Sequence, residues 1–320
     1  MNVRKGESHM STRQEKDTKS SKYRDIVGLV GVGTMGQVLL KRLIDEGIKV
    51  IAADVSEAAQ QKAVEIGAEL AANPAEVAKS AKFIILSLPA PAHINSVVFG
   101  SGGLLETITD EHIIVDTSTV DPDTTRAAYA ACAQKGAEYL DAPVLGRPAS
   151  IGNWVLPVGG SEEALKQVED ILAIFAKRTV HVGPSGSGNT LKLINQLMFS
   201  ILNAATAEAF AVAKKAGLDA KIFYDAVATS GAATVSGLFT ECGKKIVANE
   251  YDPVFPVKLL CKDAGLAIEM ARKLGVPPVI ASNAQIYNEI ARDTGYSDWD
   301  TSALVRVFDE LYKEKTPTAR

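Results

Sequence analysis

The 320-residue sequence lacks the features that mark several broad classes of protein. It has three cysteines, Cys132, Cys242 and Cys261, far apart and without a CxxC pair. An odd, scattered set cannot form a complete disulfide framework, and it implies reduced thiols in a cytoplasmic setting. The four histidines, His9, His93, His112 and His181, show no ligand spacing, so no metal site is expected. No apolar run approaches the ~18 residues of a membrane span, so no membrane partner is expected. Basic residues (34) are outnumbered by acidic ones (38), giving a formal net charge of −4. Recognition of phosphate backbones needs clustered Lys and Arg, so nucleic acid is excluded as the main partner.

What the chain does have is apolar material, 47% of its residues, enough for a sizeable core. Residues 1–24 stand apart, rich in Lys, Arg, Ser and Glu and nearly free of apolar side chains. Such a segment cannot offset its ordering entropy, so a disordered tail is expected there. From residue 25 onward, short apolar runs alternate with amphipathic stretches. The runs fall at 26–30, 50–53, 83–88, 113–115, 138–140, 154–158 and 179–182. The stretches between them (37–45, 57–66, 75–78, 123–135 and 162–176) read as helices. Alternation of this kind predicts an α/β fold, a Rossmann-type doubly wound parallel sheet with helices on both faces.

Beyond 182 the pattern changes. Gly183-Pro184-Ser185-Gly186-Ser187-Gly188 reads as a hinge, and only helical periodicity follows, ending near 313. Residues 189–216 predict one long helix, apolar nearly all round and therefore buried. The expected division is a dinucleotide-binding domain at 25–184 and an all-α domain at 185–320, joined by that central helix.

The first run ends in Gly31-Val32-Gly33-Thr34-Met35-Gly36, a GxGxxG fingerprint between strand and helix. Gly31 permits the tight turn, Gly33 lets backbone approach a pyrophosphate, and Gly36 lets helix and strand pack closely. Asp54 ends the second run, 23 residues after Gly31, where a carboxylate binds the adenine ribose hydroxyls. A carboxylate there repels a 2′-phosphate, and Val55 stands where a phosphate-binding Arg would be. The expected cofactor is NAD, with NADP as the alternative.

With the cofactor end in place, six ordered segments resemble the β-hydroxyacid dehydrogenase family, of the 3-hydroxyisobutyrate dehydrogenase type. They are the glycine signature at 28–36, Leu88-Pro89, Asp116-Thr117-Ser118-Thr119-Val120, Asp141-Ala142-Pro143-Val144, Lys192 with Asn195 and Gln196, and Lys262-Asp263. Together they span the chain from about 25 to 311. The resemblance implies an active site in the cleft between the two domains. It implies Leu88, Pro89 and Thr119 near the cofactor, and Lys262 near the cofactor or the domain closure. It also implies a homodimer or homotetramer built through the helical domain.

One departure stands out. Family members commonly continue Asp-Ala-Pro-Val with Ser-Gly-Gly, whose Ser and backbone amides hold the substrate carboxylate. Here the continuation is Leu145-Gly146-Arg147-Pro148, and the segment up to Gly159-Gly160 is about two residues shorter. Substrate identity is therefore not carried over.

The residues of the long helix point to chemistry of their own. Lys192, Asn195 and Gln196 sit at i, i+3 and i+4, sharing one face among Leu191, Leu193, Ile194 and Leu197. A Lys in such company has its pKa lowered by desolvation, toward values useful in proton transfer. The bland alternative is a Lys that snorkels to the surface. Hydride transfer leaves a hydroxyl proton to be moved separately, and Lys192 is the candidate general acid and base. Asn195 and Gln196 are candidates for orienting substrate, with Ser118 and Gly146 for its carboxylate. Arg147 could bind an acid group bidentately or be a surface turn residue. Expected partners are a small hydroxy acid or semialdehyde. The competing readings are an imine reductase, against which Lys192 counts, and a non-catalytic cofactor-binding module.

Overall fold

The computed structural model describes residues 26–232, 234 and 236–311. The expected tail at 1–24 and the last helix end near 313 lie outside these residues. Eight strands form one sheet: β1 (Ile26–Val30), β2 (Lys49–Ala53), β3 (Glu69–Leu70), β4 (Phe83–Leu86), β5 (Ile113–Asp116), β6 (Glu138–Asp141), β7 (Trp154–Gly159) and β8 (Ala176–Gly183). Their order is β3-β2-β1-β4-β5-β6-β7-β8.

The apolar runs become strands because side chains alternate between two buried faces. Val27 and Leu29 enter one core layer with Leu39, Leu40 and Leu43 of α1 (Thr34–Asp45), Ala63 of α2 (Glu57–Ile66) and Leu172 of α6 (Glu162–Phe175). Val30, Ile84 and Leu86 enter the other with α3 (Pro74–Ser80), α4 (Pro91–Phe99) and α5 (Pro122–Gln134). The sheet is doubly wound, as expected.

It is not wholly parallel. β7 pairs antiparallel with β6, because no helix fills the chain between them: a short 3-10 turn, Pro148–Ser150, is the only regular element there. A parallel return needs a crossover long enough to span the sheet face. β7 and β8 are parallel again, joined through α6. The sequence reading also passed over β3 and α4.

α7 (Ser187–Lys215) is the centre of the helical half. It packs against α9 (Gly237–Ala248), α10 (Val257–Lys273), α11 (Val279–Ala291) and α12 (Leu304–Leu311), with α8 (Ala220–Ala228) at its far end. Among the described residues it is the one helix long and apolar enough to cross a membrane by length and composition. Asn189, Gln196, Ser200 and Asn203 are nevertheless buried along it, inside the bundle. Its burial is one-sided: Ile194, Met198 and Leu202, at four-residue spacing, are 52%, 57% and 41% exposed. The expectation of a fully buried helix therefore holds for the inner face only.

Candidate active site

The strand order reverses between β1 and β4, and a crevice opens beyond the carboxyl ends of strands at such a point. The glycine loop and Leu88-Pro89 leave these two strands. Gly31 has φ +94°, and a Cβ there would lie 2.3 Å from the Ser87 carbonyl oxygen. Gly36 packs so closely that its Cβ would lie 2.1 Å from the Gly31 carbonyl oxygen. Only glycine fits either place.

α1 starts at Gly33 with no side-chain cap and no acid in its first turn. α4 starts at Ala90, also without a side-chain cap. By contrast α2, α3, α5 and α6 are capped by Ser56, Asn73, Asp121 and Ser161. The helix beside the glycine loop thus presents amides and positive potential to an anion. A Cβ on Gly33 would meet nothing within 4 Å, so backbone can be approached there. Val32, Thr34 and Met35 complete the loop. Asp54 accepts from Val32 N–H (2.7 Å) through one oxygen and from Ser56 N–H (2.8 Å) through the other. Its carboxylate is therefore fixed at the rim of the loop. The crevice fits an anionic dinucleotide.

On the far side, Lys192 is half-buried and donates from Nζ to the Val144 carbonyl oxygen, 2.8 Å away. Burial pushes its ammonium below the usual lysine range; Asp263 opposes this and Lys262 adds to it. Gln196 is buried and donates from Nε2 to Asp263 Oδ2 at 2.6 Å. Asn195 is exposed and donates from Nδ2 to Gln196 Oε1 at 3.2 Å. Gln196, Lys192 and Asn195 thus run from buried through half-buried to exposed. Lys262 donates to the Thr119 carbonyl oxygen (2.8 Å) and pairs with Asp263 Oδ1 (2.6 Å), tying α10 to the segment that follows β5. Ser118 is buried, and its Oγ accepts from Leu88 N–H at 2.9 Å. The same side chain hydrogen-bonds to the buried Asp116 carboxyl.

The turn expected to hold a substrate acid is partly occupied. Leu145 exchanges both backbone bonds with Val155 (2.9 and 3.2 Å), and Arg147 N–H donates to Ser150 Oγ at 3.1 Å. Of the three successive amides, that of Gly146 stays outside these bonds. Gly146 also has a packing reason, since its Cβ would fall 2.1 Å from Trp154 Cδ1. Arg147 pairs with Glu241 of α9. The pair borders a small surface depression lined also by Phe199, Cys242, Lys245 and Phe255. The rings of Phe199 and Phe255 stack at 5.6 Å.

Sequence reasoning gave no role to the Val144 carbonyl, Asp263 or Glu241. A main-chain acceptor has no side-chain signature, and Glu241 lies 94 residues from Arg147. For Asp263 the signal was present, an acid beside Lys262 followed by the apolar run Ala264–Ile268.

Comparison with known proteins covers the same ground. Residues 26–183 match the NAD binding domain of 6-phosphogluconate dehydrogenase. Residues 186–308 match the NAD-binding family of NADP-dependent 3-hydroxyisobutyrate dehydrogenase. The chain is 32% identical to 2-(hydroxymethyl)glutarate dehydrogenase of Eubacterium barkeri over 89% of its length and 95% of the relative's. It is likewise 32% identical to 3-sulfolactaldehyde reductase of Escherichia coli K12, over 87% and 94%. A crystal structure of 3-hydroxyisobutyrate dehydrogenase from Salmonella typhimurium matches with TM-score 0.79 and 28% identity, covering 88% of this chain and 99% of that one.

Proposed function

The chain belongs to the β-hydroxyacid dehydrogenase family, and from that premise we propose that it interconverts a small 3-hydroxy acid and its semialdehyde or keto form, with Lys192 as the proton-transfer group. It is an NAD(P)-dependent oxidoreductase. The observation that carries the role of Lys192 is its place: half-buried beside Asp263, facing the segment that follows β6, with an ammonium destabilised by burial. When bound in the crevice, the nicotinamide gives or takes the hydride. Lys192 gives the matching proton to the developing alkoxide in reduction and takes it from the hydroxyl in oxidation. Gln196, committed to Asp263, holds the lysine's surroundings, while the exposed Asn195 is assigned to orienting substrate. Ser118 and the Gly146 amide are assigned to the substrate's acid group, and Leu88, Pro89, Thr119 and Lys262 to the cofactor side.

NAD is the favoured cofactor, because Asp54 is held at the loop rim by two amides and Val55 is fully solvent-facing (99% exposed). A homodimer or homotetramer is supported by the uncovered Ile194–Met198–Leu202 stripe, too apolar to be left to water. The three buried, unpaired thiols agree with a reducing compartment.

The test is turnover with NADH and NADPH against a panel of small semialdehydes and cyclic imines. Reduction of an acid-bearing semialdehyde is expected. Turnover of imines alone would replace this reading with an imine reductase, and cofactor binding without turnover of any member would favour a non-catalytic module.

A further inference from the structure

We infer that Asp141, with Asn189 as a second pin, is a positioning residue for Lys192, an inference that rests on the proposed role of that lysine. Asp141 ends β6 and is fully buried. Its two carboxylate oxygens accept from the start of α7: Oδ1 from Gly186 N–H and Oδ2 from Asn189 N–H, each at 2.8 Å. Asn189, three residues before Lys192, then reaches sideways. Its Oδ1 accepts from Val120 N–H at 3.2 Å and its Nδ2 donates to Thr125 Oγ1 at 3.1 Å. The first turn of α7 is thereby bonded both to the end of β6 and to the segment that follows Ser118 and Thr119.

Three features argue that this is register and not mere capping. First, Asp141 works from 45 residues upstream, whereas the caps of α2, α3, α5 and α6 come from the helix's own N-cap residue. A local Ser or Asn would satisfy the same amides without burying a charge. Burial pushes the Asp141 carboxyl up, so the arrangement carries a cost that local capping avoids. Second, the helix is seated without slack: a Cβ on Gly188 would lie 2.4 Å from the Asp141 carbonyl oxygen and 2.6 Å from that of Pro157. Third, the same short segment holds α7 again one turn later, where the Val144 carbonyl accepts from Lys192 Nζ. Residues 141–144 therefore set both where α7 begins and where its lysine points.

The experiment is a double-mutant cycle on the full-length protein. Asp141→Asn and Asn189→Ala are each made in the wild type and in Lys192→Ala, with kcat, cofactor affinity and thermal unfolding measured for every variant. A displaced lysine lowers kcat by roughly 10- to 100-fold, as for a misplacement of about 1 Å, while cofactor affinity stays unchanged. In the Lys192→Ala background the same changes add no further loss, because they act through the residue already removed. Equal fold-losses in both backgrounds, or unchanged kcat in the wild-type background, would overturn the inference while leaving the role of Lys192 intact. Full activity of Lys192→Ala would overturn both. If Asp141→Asn does not fold, Asn189→Ala carries the cycle alone.

Discussion

The guanidinium of Arg147 pairs with the carboxylate of Glu241, so the turn that follows Gly146 is clasped to α9 across the cleft. Both side chains are substantially exposed, 39% and 56%. Breaking the pair with Glu241→Gln should therefore cost less than about 1 kcal/mol of stability. Its effect on the substrate should be larger. An Arg released from Glu241 is free for an acid group, so KM for acid-bearing substrates should fall in Glu241→Gln and rise in Arg147→Ala, with kcat little changed in both. Equal KM values in the three proteins would show that Arg147 serves only as a clasp.

Lys192→Ala should lower kcat by roughly 10²- to 10⁴-fold, the contribution of a positioned general acid–base group. Cofactor affinity should survive, since the glycine loop, Asp54 and Leu88 lie on other elements. Steady-state kinetics with a separate cofactor titration checks both halves. A variant that turns over like the wild type would mean that another group moves the proton.

Much of this was legible from local pattern. Most strands declared themselves as short apolar runs, and the glycine loop because backbone at φ +94° excludes other residues. β3 did not, since its two residues, Glu69 and Leu70, are both exposed and are held only by pairing with Ile51 and Ala52. α4 was hidden by Pro91 at its start and by Val97 and Val98 near its end, weak helix formers without a clear stripe. The direction of β7 is not written in its apolar residues at all. In the site, Lys192 stood out as a charge among leucines, yet its partners did not. Val144 contributes a carbonyl, and Gln196 meets Asp263 67 residues away. Such contacts exist only after α7 and α10 have packed.

Asp116 predicts a pH dependence. It is fully buried, accepts from Ser118 N–H (2.9 Å) and Tyr139 Oη–H (2.8 Å), and is pushed by burial up to about 6. Between the usual carboxylate value and 6, the native protein holds this proton and the unfolded chain has lost it. Stability from this group therefore falls as pH rises from about 4 to 7, by up to roughly 3 kcal/mol. Asp116→Asn removes that slope. Its Tm relative to wild type should climb as the pH is raised across this range. A constant difference would show that Asp116 is ionised throughout.

Asp54 tests the choice of cofactor. Wild type should prefer NAD(H). Asp54→Ala should weaken NAD binding and relax discrimination against NADP, because the ribose hydrogen bonds and the repulsion of a 2′-phosphate disappear together. The loss of the Val32 and Ser56 bonds should loosen the loop as well. A wild-type preference for NADPH would mean that this carboxylate serves the loop alone.

Leu145 tests how the substrate's acid group is held. The family's Ser at this place offers a hydroxyl; Leu145 is half-buried and offers none, and its backbone is bound to Val155. A lost hydrogen bond to a charged group costs about 1.5–3 kcal/mol, which is roughly a 10- to 150-fold loss in kcat/KM. The protein should therefore be a poor catalyst for 3-hydroxyisobutyrate and tartronate semialdehyde. Its own substrate should place an apolar group, or nothing, against Leu145, with the acid group held by the Gly146 amide or by Arg147. Leu145→Ser should then raise activity on those two substrates and lower it on the native one. The substitution leaves the backbone bridge to Val155 in place, so a change in kcat/KM reports on the side chain and not on the turn. Strong wild-type activity on 3-hydroxyisobutyrate, unmoved by Leu145→Ser, would show that the carboxylate never relied on this position.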